Sequence, residues 1–132
     1  MKLRVESPLS QDLEKLIQRV IGAAIEVHRH LGPGFLESIY ERALCHEFEL
    51  CKIAYRRQKQ IEVPYKKISI DGQRLDILVE EKLIVELKAA KAIAPIYQAK
   101  LISYLKSTHL RAGLIINFNV ILLKTGIRRI VR

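Results

Sequence analysis

The sequence predicts an α/β domain: a mixed β-sheet flanked by helices, in the order helix, helix, three strands, helix, then one or two strands. Three observations predict it. From Leu13 to Leu31, apolar residues recur at three- and four-residue steps, the spacing of one helical face. Between Ile61 and Lys88 the pattern changes to apolar and charged residues in alternation, the signature of strands. After a further helical stretch, Ala112 to Phe118 is almost uninterruptedly apolar, as in a strand covered on both faces. Strands clustered before a helix and another strand imply a mixed sheet with helices packed on it. The 132 residues are expected to form one domain, and a 49% hydrophobic fraction suffices for a single core.

Ser10 is a suitable N-cap for the first helix, with Asp12 in the first turn where the helix dipole favours an acid. Its stripe is Leu13, Leu16, Ile17, Val20, Ala24, Val27 and Leu31, and Gly32-Pro33-Gly34 stops it. A second helix runs from about Leu36 to Leu50 with Leu36, Ile39, Tyr40, Ala43, Leu44 and Phe48 as its buried stripe. Glu37 stands in its first turn, where an acid at a positive helix end needs no further explanation. Lys52 to Gln60 is basic and leads into a strand over Ile61 to Tyr65, which Pro64 confines to an edge or bends. Ile68 to Ile70 continues as strand, and Asp71-Gly72 is a hairpin turn signal. Two strands follow, Arg74 to Glu80 and Leu83 to Lys88, with a turn at Glu81-Lys82. Pro95 suits the first turn of the next helix, whose inner stripe is Tyr97, Leu101, Tyr104, Leu105 and Thr108. Gln98 lies at the edge of that stripe, either reaching a site beneath the helix or solvated. A short strand at Ile127 to Val131 ends the pattern.

Lys plus Arg number 23 against 14 Asp plus Glu, a formal net charge of +9. That balance favours a polyanionic partner, nucleic acid foremost. Cys45 and Cys51 are too few for a structural zinc site and are expected to be buried thiols in a reducing compartment. Met1 to Ser10 has no apolar segment of a signal peptide, and Ala112 to Leu123 is too short and too interrupted by Asn117 and Asn119 to span a membrane. A cytoplasmic protein without a membrane partner is expected.

Side chains alternate along a strand, so Arg74, Asp76, Leu78 and Glu80 are expected on one face, and Ile84, Glu86 and Lys88 on one face of the next strand. If the faces coincide, two carboxylates and an ammonium converge, a set able to hold a divalent metal and a phosphate at one point. A polar hairpin face turned to water is the bland alternative. Against it stand Leu75 and Ile77, which flank Asp76, and the apolar stripe of the following helix, which must lie on this sheet.

The run Gly34-Phe-Leu-Glu37-Ser-Ile-Tyr40 matches G-x-x-E-x-x-Y. It is accompanied in order by Asp71-Gly-Gln-Arg-Leu-Asp76, Val85-Glu-Leu-Lys88, Gln98 to Tyr104-Leu-Lys, Gly113-Leu-Ile-Ile-Asn-Phe118 and Ile127-Arg-Arg-Ile. This set resembles the small bacterial family named after the G-x-x-E-x-x-Y motif, which is assigned to the PD-(D/E)xK nuclease-like superfamily. The resemblance covers the chain from about Ile21 to its end. It implies a restriction-endonuclease-like core, α-β-β-β-α-β, with an extra N-terminal helix. It implies that Asp76, Glu86 and Lys88 take the places of the motif's Asp, D/E and Lys, and that Glu37 resembles the acid contributed by the first core helix. Gln98 and Tyr104 resemble the Gln and Tyr of some branches, but here they are six apart rather than four, which leaves no firm role for Tyr104.

The expected chemistry is metal-dependent hydrolysis of a phosphodiester bond in a nucleic acid, DNA ahead of RNA. The metal is Mg²⁺ or Mn²⁺, held by Asp76, Glu86 and the backbone carbonyl of Leu87. Lys88 orients water and offsets charge on the phosphate. Arg56, Arg57, Lys59, Lys66, Lys67, Gln98, Lys100 and Arg128 are the expected nucleic-acid contacts, the cations among them acting on phosphates without base specificity. The alternative is a non-catalytic nucleic-acid-binding module that keeps the nuclease fold. Oligomeric state is left open, a homodimer included.

Overall fold

The computed structural model describes residues 7–132; residues 1–6, part of the stretch read for a leader segment, lie outside it. Helix α1 (Gln11–Leu31) begins where the Ser10 hydroxyl accepts the Leu13 N–H. The expected stripe is buried from Leu13 to Val27, with Leu31 at its margin. Gly32, at φ +67°, ends the helix and donates its N–H to the His28 carbonyl.

Helix α2 (Glu37–Leu50) buries Tyr40, Glu41, Leu44, Cys45 and Phe48. The expected stripe is thus corrected at its start, because Leu36 and Ile39 are exposed. The reason is Tyr40: its ring stacks on Phe118 at 4.5 Å and 5°, and this sets which side of the helix turns inward. The expectation of two buried thiols holds only for Cys45. Cys51 is exposed, because it follows the last helical turn as its C-cap.

Strands β1 (Tyr55–Tyr65) and β2 (Ile68–Val79) form a long antiparallel hairpin. Its turn is at Lys66-Lys67, both with positive φ (43° and 74°), and not at Asp71-Gly72. Asp71-Gly72 instead carries a bulge: Ile61 pairs with Gln73 and Val63 with Ile70, so β2 holds one extra residue there. Gly72, at φ +107°, takes a backbone conformation open to glycine, which is why the same dipeptide serves a bulge as readily as a turn. β1 is the edge strand that Pro64 requires, and it starts at Tyr55, within the basic stretch.

β3 (Leu83–Lys88) follows a turn at Glu80–Lys82, so Glu80 leaves the strand face on which it was expected. Helix α3 (Pro95–Thr108) crosses over to β4 (Ala112–Asn117), which runs parallel to β3. A short 3-10 turn (Leu123–Gly126) leads to β5 (Ile127–Val131), antiparallel to β4. The five strands lie in sequence order, giving the expected mixed sheet flanked by helices. Among the described residues, no helix is long and apolar enough to cross a membrane.

The sheet divides the core in two. On one face α1 and α2 pack against Ile77, Val79, Leu83, Val85, Leu87, Leu114, Ile116 and Phe118. On the other, Leu101 and Leu105 of α3 pack against Ile61, Leu75, Leu78, Ile84 and Ile115. The approach of α3 is set at Gly113, where a Cβ would come within 2.7 Å of Leu101 Cδ1. Gly113→Ala is therefore expected to destabilise the fold by about 1–3 kcal/mol through overpacking. A urea titration showing no loss of stability would contradict this placement of α3.

Candidate active site

The ladder between β2 and β3 holds three pairs, Ile77 with Val85, Leu78 with Ile84 and Val79 with Leu83, and then opens. Beyond it, side chains replace the backbone as acceptors. The Asp76 carboxylate accepts the Leu87 N–H at 2.9 Å, and the Glu86 carboxylate accepts the Asp76 N–H at 3.2 Å. Asp76, Glu86 and Lys88 line a single cleft of about 150 Å³ under α3, with Arg74, Tyr97, Lys100, Tyr104 and Ile115. The expected convergence of two carboxylates and one ammonium is what the fold places there.

Electrostatics follow from that crowding. Burial, then the charge of Asp76 and a carboxyl–carboxylate hydrogen bond with it, push Glu86 up to about 9. The nearby Lys88 acts in the opposite direction, without cancelling the effect. The Lys88 Nζ sits 4.3 Å from the centre of the Tyr97 ring, a cation–π contact that holds it over the cleft. Tyr104 accepts a hydrogen bond from Gln73 Nε2 at 3.0 Å, and burial together with Glu86 and Asp76 raises its pKa.

Asp76 also borders a second cleft on the α2 side, lined by Glu37, Ser38, Glu41, Gln58 and Leu87. Glu37 is the first residue of α2, and its carboxyl is raised by burial and then by Asp76, with Lys88 opposing. Glu37 therefore feels the charges of Asp76 and Lys88 as well as the helix end.

The other expected contacts scatter. Arg56 pairs with Glu81 at 2.7 Å, and Arg57 with the buried Glu41 at 3.0 Å. Lys59 lies on β1, and Lys66 and Lys67 form the tip of the β1–β2 hairpin. Arg128, on β5 at the opposite sheet edge from β1, bonds the carbonyls of Thr125 and Ile127. Of the expected contacts, only Lys100 lines the cleft of the trio. Gln98 lines neither cleft. On α3 the residues over the cleft are Tyr97, Lys100 and Tyr104, three to four residues apart on one helical face, and Gln98 is turned about 100° from Tyr97. Arg74, assigned only a strand face by the sequence, lines the cleft, as does Tyr104, which the Gln-x-x-x-Tyr spacing argued against.

Among the described residues, no three His, Cys, Asp or Glu side chains converge into a ready-made metal cage. Asp76 and Glu86 each give one oxygen to a backbone N–H, their carboxyl groups share a hydrogen bond, and Lys88 opposes the resulting rise of Glu86. Such a donor pair fits a hard divalent cation of the Mg²⁺ kind, which takes one or two carboxylates and completes its shell with water and phosphate oxygens.

A model of the PD-(D/E)XK nuclease superfamily matches residues 14–130. No curated protein and no solved structure matches the chain.

The raised Glu86 fixes a stability profile for the metal-free protein. Its folded pKa of about 9 lies above the ordinary 4.5, so its proton stabilises the fold fully below about pH 4.5. That contribution is lost progressively as pH rises towards 9. Glu86→Gln, which keeps the neutral shape, is expected to raise the thermal midpoint near pH 8 in chelator and to flatten the decline between these limits. Equal midpoints for the two proteins at pH 5 and pH 8 would contradict the assignment.

Proposed function

The chain belongs to the PD-(D/E)XK nuclease superfamily, and we propose that it hydrolyses a phosphodiester bond of a nucleic acid with Mg²⁺ or Mn²⁺ as cofactor. The observation that carries this reading is the convergence of Asp76, Glu86 and Lys88 in one cleft. Asp76 and Glu86 are the carboxylates that would hold the cation, with the carbonyl of Leu87 as a third oxygen. When bound, the ion supplies positive charge to the scissile phosphate and lowers the pKa of a coordinated water.

The chain's own groups do the rest. Lys88 donates hydrogen bonds to the attacked phosphate or the water, and its charge offsets the negative charge that develops. The Tyr97 ring keeps the ammonium over the cleft instead of in bulk solvent. Arg74 and Lys100 on the cleft wall take flanking phosphates and orient the strand. Lys66 and Lys67 at the hairpin tip add contacts without base specificity. Glu37, whose carboxyl is raised by burial and then by Asp76, lines the α2-side cleft that Asp76 borders and would take or return a proton from that side. DNA is the first substrate to test and RNA the second.

Two predictions follow from this division of labour. Asp76→Ala is expected to weaken Mg²⁺ binding and abolish cleavage together. Lys88→Ala is expected to keep or strengthen metal binding, since a nearby positive charge is gone, and to lower cleavage by roughly 10²–10³. Calorimetry with Mg²⁺ or Mn²⁺, beside cleavage of single- and double-stranded DNA and RNA, separates the two residues. Wild-type cleavage by Lys88→Ala would refute the role given to Lys88, and no cleavage of any nucleic acid would refute the hydrolase. Binding to duplex DNA should also fall with salt, by roughly 0.9 in the log–log slope for each phosphate contacted. A flat response in filter binding would exclude phosphate tracking.

A further inference from the structure

β1 and β2 keep register on both sides of one missing rung. Arg57 pairs with Ile77 and Lys59 with Leu75, while Gln58 and Asp76, which lie between them, are absent from the ladder. Gln58 has φ +49°, a left-handed conformation that disfavours any residue with a Cβ. Something must hold it there.

Neighbouring side chains on a regular strand point to opposite faces. Arg57 and Gln58 break that rule, because both grip one carboxylate. Arg57 Nη2 donates to Glu41 Oε2 at 3.0 Å, and Gln58 Nε2 donates to Glu41 Oε1 at 2.8 Å. Glu41 lies on α2 one turn beyond Glu37 and is only 8% exposed. A buried carboxylate requires such partners, and these two reach it together only because the strand is turned at Gln58.

The effect crosses to β2. Leu75 and Leu78 pack in the α3-side cluster, and Ile77 and Val79 in the other, so the alternation of faces slips at Asp76. Released from the ladder, Asp76 directs its carboxylate to the Leu87 N–H and its own N–H to Glu86. It borders both clefts as a result.

We propose that Glu41 is a positioning residue: through Gln58 and Arg57 it holds β1 turned at Gln58, and thereby aims Asp76 at Glu86 and Leu87. Its functional meaning rests on the reading of Asp76 as a metal ligand, whereas the placement of Asp76 is a matter of backbone geometry. Glu41 itself touches neither metal nor substrate in this scheme. Its loss acts on metal affinity only through Asp76, as the loss of an outer hydrogen-bond partner does.

The test exploits glycine, which adopts positive φ without a clamp. Exchange of the Leu87 amide is followed by NMR in the metal-free protein, with the Val85 amide as internal control. Gln58→Ala and Glu41→Leu should each speed Leu87 exchange by about tenfold or more, by loosening the Asp76 bond, while Val85 is unchanged. Gln58→Gly should exchange like wild type, and adding it to Glu41→Leu should restore protection. Mn²⁺ affinity by calorimetry should follow the same order, falling about 10–100-fold in the first two variants and recovering with glycine. Equal Leu87 exchange in the Ala and Gly variants, or no recovery in the double variant, overturns the proposal. If Glu41→Leu does not fold, the Ala–Gly comparison at position 58 decides alone. If wild type binds no Mn²⁺ but the exchange pattern holds, the metal reading fails and the positioning role stands.

Discussion

The arrangement depends on one opening in the sheet, where β2 and β3 stop pairing through their backbones after Ile77 and Val85. β3 itself does not stop. It stays paired with β4 through Lys88 and Asn117 while β2 departs. The N–H groups exposed by that departure need acceptors, because buried backbone donors are almost never left alone. Asp76 and Glu86 supply them, one for the Leu87 N–H and one for the Asp76 N–H. The hydrogen-bonding needs of the sheet thus hold the two acids, in addition to the hydrogen bond between their carboxyl groups. That fixes their orientation before any cation or substrate arrives, and preorganisation of this kind is what a charge-stabilising site requires.

The scaffold on either side fixes what faces the opening. On the α2 side, the fully buried Tyr40 donates its hydroxyl to the Gly32 carbonyl at 2.6 Å and accepts the Phe35 N–H at 3.2 Å. The ring stacks on Phe118, which follows β4. The G-x-x-E-x-x-Y spacing therefore has a mechanical content: the Tyr ties down the loop that launches α2, and Glu37 opens that helix. On the α3 side, Gly113 lets Leu101 sit close on β4, so that Tyr97, Lys100 and Tyr104 overhang the cleft. The exit from β3 is held by Asn117, buried, whose side chain accepts the Ala90 N–H at 3.1 Å and donates to the Ala90 carbonyl at 2.9 Å.

Much of this was legible in the sequence, and the failures have particular causes. Periodicity located every helix and the strands β3, β4 and β5 closely, because each face of the sheet is covered and its apolar pattern is strong. The trio Asp76, Glu86 and Lys88 came from counting faces, although Leu75 and Ile77 do not share a face as that count assumes. The count succeeded because Asp76 sits at the slip itself. Asp71-Gly72 was misplaced as a turn because a type I′ turn and a bulge ask the same backbone freedom of glycine. Tyr104 is set aside in the sequence by the missing Gln-x-x-x-Tyr spacing, and Gln98 is kept by its place at the edge of the stripe, a measure of distance from the stripe's centre. That measure does not say which flank of that stripe overlies the opening. Glu41 carried no signal at all. Its burial is created by Arg57 and Gln58, 16 and 17 residues away, and a glutamate in a helix otherwise reads as solvated.

The charges complete the argument. Of the strong cations behind the net charge of +9, Arg57 is committed to Glu41, Arg56 to Glu81 and Arg129 to Glu14. Exposed pairs of the Arg56 kind stabilise the fold little and leave little free charge for a polyanion. The cations that line the cleft are Arg74, Lys88 and Lys100, and they surround two acids, of which Glu86 is lifted to about 9 by burial first and by Asp76 second. For stability alone this is a poor choice, since well-packed apolar residues in place of buried charges are often neutral or favourable. Ile77 and Val85 show, one rung away, how the same strands pack when they pair normally. Both acids also stand on strands, where rigid backbone holds them more narrowly than a loop would. A fold that opens its ladder beside an apolar rung, turns Gln58 against its backbone preference and seats two acids in the gap has a cost that packing does not offset. Under the function proposed above, a divalent cation between those acids and a phosphate against that basic wall would offset it.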